Sequence, residues 1–528
     1  VNDKGISPTR AIHKYELKGG YYVVDPCSGS VHVADKQAYD LLDKVTPARF
    51  EHYEGVKEAG SACLAEDKEH SSVCPESEQG GCYAELRELY KAGLLFAEDE
   101  CEKYAETSID APLKALCLHV SHDCNLRCRY CFAKEVLCNE GIHSPQSEHD
   151  NYAKEVLCNE GIHSPQSEHD SFAEDNVSDH TAMSPETAIA AIDFLVAHSG
   201  ERTELEADFF GGEPLMAWDT VTAAVAYARA NEQSWGKRFR FTITTNGLLL
   251  DDEKIAYINA EMTNCVMSLD GRRSVNDIMR PTANGKGSFD VVVPKFRKLI
   301  KTRTKEGFTD HYIRGTFTAF NLDFAEDVIE LARLGFRNIS LEPVTCTNEA
   351  DYAITNEHIP QIYEQYDKLF MFLTGCEHSQ EVNGLDSKGI NFFHFNVDLT
   401  GGACVIRRLR GCGAGNEYLA VAPNGDCYPC HRFVGNSAYN MGSVSKTLSL
   451  NIKEYFSKTH IYSKSDCSEC WARFYCSGGC NASSYDCYGD CRRTDSQSVE
   501  CLMMKKRLEC AIALAAMRLN VANEVCDS

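Results

Sequence analysis

The stretch Ser121-His-Asp-Cys124-Asn-Leu-Arg-Cys128-Arg-Tyr-Cys131-Phe132 decides how this 528-residue chain is read. It follows an apolar strand candidate at 114–120 and sets three cysteines at spacings of three and two residues. A loop of that shape can wrap one iron–sulfur cube, each thiolate holding one iron. A [4Fe–4S] cube has four irons and ordinarily takes four cysteines, so three local thiolates leave one iron open to a substrate. Structural zinc is the competing reading of the motif by itself, and it would need a fourth ligand nearby to close its tetrahedron.

Downstream, strand candidates at 204–210, 239–245, 264–270, 312–319 and 337–343 alternate with helical periods such as 185–199 and 323–335. Repeated strand–helix units build a parallel sheet, and six units suit an open, partial barrel. A polar signature stands at the carboxyl end of strand after strand: Gly211-Gly212-Glu213-Pro214, Thr245-Asn246-Gly247, Ser268-Leu269-Asp270 with Arg280 beyond, and Leu341-Glu342-Pro343. That end is where α/β folds gather their ligands. Asn284-Gly-Lys-Gly-Ser288 lacks the spacing of a phosphate-binding loop.

The chain holds 27 cysteines. Without an export signal, such richness points to metal or redox chemistry rather than to disulfides. The second concentration is C-terminal: Cys412, Gly425, Cys430, then Cys467, Cys470, Cys476, Cys480 and Cys501. The formal charge of −25 excludes a nucleic-acid partner, which would demand a basic surface. No apolar run reaches membrane-spanning length, so the expectation is a soluble, cytoplasmic protein with no membrane partner.

The first cysteine loop and the strand-end turns resemble those of the radical S-adenosylmethionine (SAM) superfamily. The resemblance implies reductive cleavage of SAM to a 5′-deoxyadenosyl radical, which abstracts a hydrogen from the substrate. Cys124, Cys128 and Cys131 would hold the cluster. Gly211, Gly212, Glu213 and Pro214 are similar to the family's GGEP turn, which contacts the methionyl amino group. Asn246, Ser268, Asp270, Arg280 and Leu341 are the further candidate SAM contacts. The C-terminal cysteines match the SPASM pattern, whose domains hold two auxiliary [4Fe–4S] clusters, making three in all. By that resemblance Cys467, Cys470, Cys476 and Cys501 close one. Cys412, Cys430 and Cys480 hold the other, with Cys404 as candidate fourth ligand; if Cys404 does not bind, a substrate thiolate can take the open iron. His431 stands where sulfatase-maturating relatives keep an acidic base, which makes it the candidate catalytic residue, and a hydrogen-bonding role beside the cluster is the alternative.

Residues 11–105 begin with strands His13–Leu17 and Tyr21–Asp25, a turn at 27–30, and helices at 36–46 and 83–93 around a polar insertion at 51–82. They look like the winged-helix RiPP recognition element, which binds a leader peptide by strand addition and is expected to act as a module separate from the radical site. The whole is similar to the thioether-forming maturases of SCIFF peptides over roughly 11–515. The implied organisation is a recognition element (11–105), a partial (β/α)6 radical SAM core (112–345), a bridge (346–395) and a SPASM domain (396–515). The implied partners are a cysteine-rich precursor peptide bound through its leader and an electron donor such as flavodoxin or ferredoxin. Two other readings stand beside it. A different SPASM enzyme, such as a sulfatase maturase, leaves the N-terminal module unexplained. A non-catalytic scaffold leaves the strand-end turns unexplained.

Ala133–Asp150 recurs unchanged at Ala153–Asp170. The unit is polar, carries Gly and Pro, and offers no apolar face to stack. It reads as a duplicated loop, with metal binding by Cys138/His143 and Cys158/His163 as the alternative. Deleting Asn151–Asp170 is expected to leave iron content and turnover nearly unchanged, since doubling a flexible loop costs only about 0.6 kcal/mol. Loss of a metal equivalent or of most activity in that variant would favour the metal site.

Overall fold

The computed structural model describes residues 11–51, 79–105, 111–131, 182–305, 310–345, 350–375, 387–400 and 405–526. Both copies of the duplicated unit, most of the 51–82 insertion and Cys404 lie outside those residues.

All six core strands form where the alternation of residues placed them: β4 (Ala115–Ser121), β5 (Glu204–Gly211), β6 (Arg238–Thr245), β7 (Asn264–Ser268), β8 (His311–Phe317) and β9 (Asn338–Pro343). Their order is sequential and every pairing between them is parallel. Leu205, Ala207 and Phe209 of β5, and Phe239, Phe241 and Ile243 of β6, are buried against the helical layer. Glu206, Asp208 and Phe210, with Arg240, Thr242 and Thr244, occupy the alternate face that lines the lumen. The crossover helices start at local stop signals. Ser184 caps Pro185–His198 by accepting from the Thr187 amide, and Asp251 caps Asp252–Glu261 by accepting from Lys254.

The sheet does not end at six strands. β10 (Asn391–Phe392), from the bridge, pairs parallel to β9. At the opposite edge β11 (Tyr418–Val421) pairs parallel to β4, and β12 (Cys427–Tyr428) pairs antiparallel to β11. The C-terminal cysteine-rich region thus shares a nine-stranded sheet with the core. The final helix, Val499–Cys526, runs beyond residue 515 and bonds back to the bridge helix Ile359–Thr374 through Tyr363 Oη and the Leu502 carbonyl (3.3 Å).

At the N-terminus β1 (His13–Leu17), β2 (Gly20–Val24) and β3 (Val31–Ala34) form an antiparallel sheet. The helix Lys36–Leu41 is shorter than the periodicity suggested, and Gln79–Lys91 follows the insertion. One sheet face packs a small core of Val23, Leu41, Leu42, Val45, Phe50, Leu86, Leu95 and Phe96. The other face belongs to the main core through Tyr15, Leu17, Tyr22 and Val24. The N-terminal region thus has a core of its own and also packs on the body, so removing 1–105 would strip apolar cover from the rest of the protein.

Asp25, 1% exposed, organises the turn after β2 by accepting from the amides of Cys27 (3.0 Å), Ser28 (2.8 Å) and Ala97 (2.9 Å). Asp25→Ala should lower stability by about 2–3 kcal/mol, because buried amides lose a charged acceptor. Urea denaturation checks this, and an unchanged midpoint would contradict it.

Candidate metal centres

The loop bearing Cys124, Cys128 and Cys131 leaves the carboxyl end of β4 and is strapped down by backbone. The amides of Arg127 and Arg129 donate to the carbonyls of Pro281 (2.8 Å) and Met279 (2.9 Å), and Ala283 donates to Asn125 (3.0 Å). Asn246 Nδ2 donates to Asn125 Oδ1 (2.7 Å) and reaches Cys124 Sγ at 3.6 Å. Burial pushes the Cys124 thiol up to about 11 and Cys128 to about 12, with Cys131 adding to both. Cys124 and Cys128 therefore both stand within electrostatic reach of Cys131.

The glycines of the Gly211–Pro214 turn answer a steric demand of this loop. A Cβ on Gly211, whose φ is +121°, would lie 2.3 Å from the Ser121 carbonyl oxygen, and one on Gly212 would lie 2.2 Å from that of Asp123. Gly212 and Glu213 donate their amides to those same carbonyls at 2.6 and 3.0 Å. Glu213 is 1% exposed. Its carboxyl accepts from Leu215 N (3.1 Å), Thr245 Oγ1 (2.7 Å) and Asn246 N (2.8 Å). It thereby pins the ends of β5 and β6 together, while Pro214 is buried in the short turn that follows.

Asp270 and Arg280 brace the loop from the other side. Asp270 accepts from Arg280 Nε (2.9 Å), from the Thr316 amide (2.9 Å) and from Tyr130 Oη (2.5 Å), and the Arg280 guanidinium lies over the Tyr130 ring. Tyr130 sits between Cys128 and Cys131, so the pair fixes where those thiols stand. Ser268 is half-buried on the lumen face at the end of β7. Leu341 is 1% exposed within the apolar core and only its backbone can front the lumen.

The C-terminal cysteines assemble as two sets. Burial raises Cys467 and pushes Cys476 to about 12, and Cys467, Cys501 and Cys470 add to the Cys476 shift. Cys501 in turn senses Cys470. In the second set burial raises Cys412 and Cys430, and each is raised further by Cys480. Among the described residues no three Cys, His, Asp or Glu side chains gather as a single-ion site. A cube instead asks for thiolates spread around its corners, one per iron.

His431 joins the second set to the lumen. Its ring centroid is 5.1 Å from that of Phe210, on the lumen face of β5. Burial pushes its pKa down to about 3, with Arg314 and Arg432 adding, so the ring is neutral near pH 7 and holds an acquired proton weakly. At its opposite end the lumen opens as a cavity of about 480 Å³ lined by Glu206, Arg240, Asn264, Tyr312, Asn338 and Phe393 among others. Two lumen groups, Asp208 and Arg314, escaped the motif reading, and a third, Glu342, was quoted there only as part of the Leu341-Glu342-Pro343 strand end. Asp208 is pushed to about 6 by burial, against a hydrogen bond from Thr242. Arg314 lies on β8. Glu342 is held by Arg507 at 3.3 Å, and Arg507 also donates to His394 Nδ1 at 3.2 Å. Period-two alternation around Leu341 was the available signal, since it puts Glu342 on the lumen face.

Comparison with known proteins agrees with this architecture. The Radical SAM superfamily matches residues 118–334, and the SPASM iron-sulfur cluster-binding domain matches 412–471. The chain carries the radical SAM α/β fold, a partial parallel barrel, with a C-terminal SPASM domain, and these matches support a radical SAM enzyme. These domains imply [4Fe–4S] clusters and SAM as cofactors. Among its relatives, the radical SAM cyclopropyl synthase TigE of Paramaledivibacter caminithermalis is 24% identical over 444 residues, 80% of this chain and 82% of TigE. The uncharacterized protein MJ0907 of Methanocaldococcus jannaschii is 28% identical over 232 residues, 44% of this chain and 62% of its own. Among solved structures, anSMEcpe with bound AdoMet and Cp18Cys peptide shares the fold with a TM-score of 0.54 at 16% identity, covering 78% of this chain and 99% of that one. No helix among the described residues is long and apolar enough to cross a membrane.

Glu213 supplies a pH test of the site. Burial lifts its carboxyl from 4.5 to about 7, against the bonds from Asn246, Thr245 and Leu215. The folded state therefore binds the proton more tightly than the unfolded chain. The contribution is full below pH 4.5 and is lost as pH rises through about 7. Metal-free wild type should exceed Glu213→Gln in stability most at low pH, with the gap narrowing toward neutrality. A pH-independent gap in denaturation midpoints would contradict the assignment.

Proposed function

We propose that the protein is a peptide maturase that forms thioether cross-links, joining a cysteine sulfur to a backbone α-carbon in a cysteine-rich, SCIFF-type precursor peptide. The observation that carries this reading is the contact of His431, next to Cys430, with Phe210 at the end of β5. That contact supports a site in which Cys430 and the radical loop share one lumen.

Cys124, Cys128 and Cys131 would hold the cluster that binds SAM. Cys467, Cys470, Cys476 and Cys501 would hold one auxiliary cluster, and Cys412, Cys430 and Cys480, with Cys404, the other. When bound, these groups supply the electron and the 5′-deoxyadenosyl radical, while the protein supplies orientation and exclusion of water. The backbone of Gly211–Gly212 and the side chains of Asn246 and Ser268 front the SAM site; Glu213, Asp270 and Arg280 position the loops around it. His431 serves as a neutral hydrogen-bonding wall for the core peptide. The leader joins the edge of β3, where Val33 is half exposed, in the manner of strand addition. Reduced flavodoxin or ferredoxin in the cytoplasm would deliver the electron.

A thioether link removes one sulfhydryl hydrogen and one α-hydrogen. The anaerobically reconstituted protein should carry about twelve irons and twelve sulfides per chain. It should return a peptide lighter by two hydrogens per ring and poorer by one alkylatable thiol. Replacing Cys124, Cys128 and Cys131 with Ala should remove about four irons and abolish SAM cleavage. A product that loses hydrogens yet keeps every thiol would overturn the thioether in favour of a carbon–carbon ring.

A further inference from the structure

The seven-residue run from Cys470 to Cys476 is gripped from outside its own domain. Each alternate residue between the two cysteines touches the N-terminal module. Trp471 stacks on His13, with ring centroids 3.9 Å apart and planes within 2°. Arg473 Nη2 bonds Asp99 Oδ2 and Cys27 Sγ, both at 3.0 Å. Tyr475 Oη reaches the Gly29 carbonyl at 3.5 Å.

The middle contact is dry. The Arg473 and Asp99 side chains are 1% and 6% exposed. Arg473 Nη1 donates to the carbonyl of Cys470 (3.1 Å). Asp99 accepts from Tyr462 Oη at 2.8 and 2.7 Å and from the Cys101 amide at 2.9 Å. Cys101 and Tyr462 then pack with Cys467 around Leu409, Ile461 and Phe474. One charged pair thus joins the segment after the helix Gln79–Lys91 to the segment that bears Cys467, Cys470 and Cys476.

We propose that Asp99 and Cys27 are positioning residues for the auxiliary site of Cys467, Cys470, Cys476 and Cys501. They orient Arg473 and set the electrostatic surroundings of the cluster held there, so that the N-terminal module is a wall of that site as well as a peptide binder. The inference rests on the ligand reading given above. Cluster potentials follow local net charge, hydrogen bonds to sulfur and solvent exposure. Removing the carboxylate charge leaves Arg473 uncompensated and makes the added electron easier to accept.

The test is a potentiometric titration of the reconstituted full-length protein, followed by electron paramagnetic resonance. Asp99→Asn should raise the midpoint potential of one cluster and leave the other signals in place. Cys27→Ala should move the same signal in the same direction by less, and it serves if Asp99→Asn fails to fold. Lys36→Ala, an exposed change in the same module, should move none. If Cys470→Ala fails to lower iron content, the ligand reading falls and this inference with it. If Cys470→Ala lowers iron while the folded Asp99→Asn or Cys27→Ala variants keep every potential at the wild-type value, this inference alone is overturned.

Discussion

A single carboxyl, that of Glu213, accepts three hydrogen bonds with almost no contact to water, and the geometry of the radical loop depends on it. It holds Asn246 at the end of β6, and Asn246 in turn holds Asn125 and reaches Cys124. The preceding glycines let two backbones meet where any side chain would collide with a carbonyl. From the other flank Asp270 and Arg280 seize Tyr130. The cysteine loop has little secondary structure of its own, so its shape is set by what grips it.

Magnitudes decide which of the many ion pairs matter. Exposed pairs such as Lys36–Asp40 contribute about 0–1 kcal/mol. Breaking a buried pair costs about 3–5 kcal/mol, since the surviving charge stays unpaired. Arg473–Asp99 and Arg280–Asp270 belong to that second class. One ties the N-terminal module to the segment of Cys470–Cys476, and the other holds Tyr130 of the radical loop beside the end of β7. Both lie beside candidate metal ligands, so stability and site geometry are coupled in the same contacts.

The core strands were legible because buried and lumen-facing residues alternate cleanly, as in Glu204–Gly211, and because capping residues such as Ser184 and Asp251 mark the helix starts. The two concentrations of cysteine were visible because iron–sulfur ligation uses short, repeated spacings, while their division into ligand sets is a proposal. Side-chain direction was harder. Glu213, Asp270 and Arg280 read as candidate cofactor contacts, and their bonds to Leu215, Thr245, Asn246 and Tyr130 were not visible in the sequence; Leu341 lies in the core while its neighbour Glu342 faces the lumen. The docking of the N-terminal module was illegible, since Asp99 and Arg473 are 374 positions apart and no local pattern pairs them. The added strands β10 and β11 were missed because two- and four-residue strands lack a readable period.

The central claim is that three clamped thiolates leave one iron of the loop's cluster for SAM. Mössbauer spectroscopy of the reconstituted, isotopically enriched protein, recorded with and without SAM, tests it most directly. The account predicts that SAM alters the signal of one iron and leaves the others unchanged. A spectrum indifferent to SAM would contradict it.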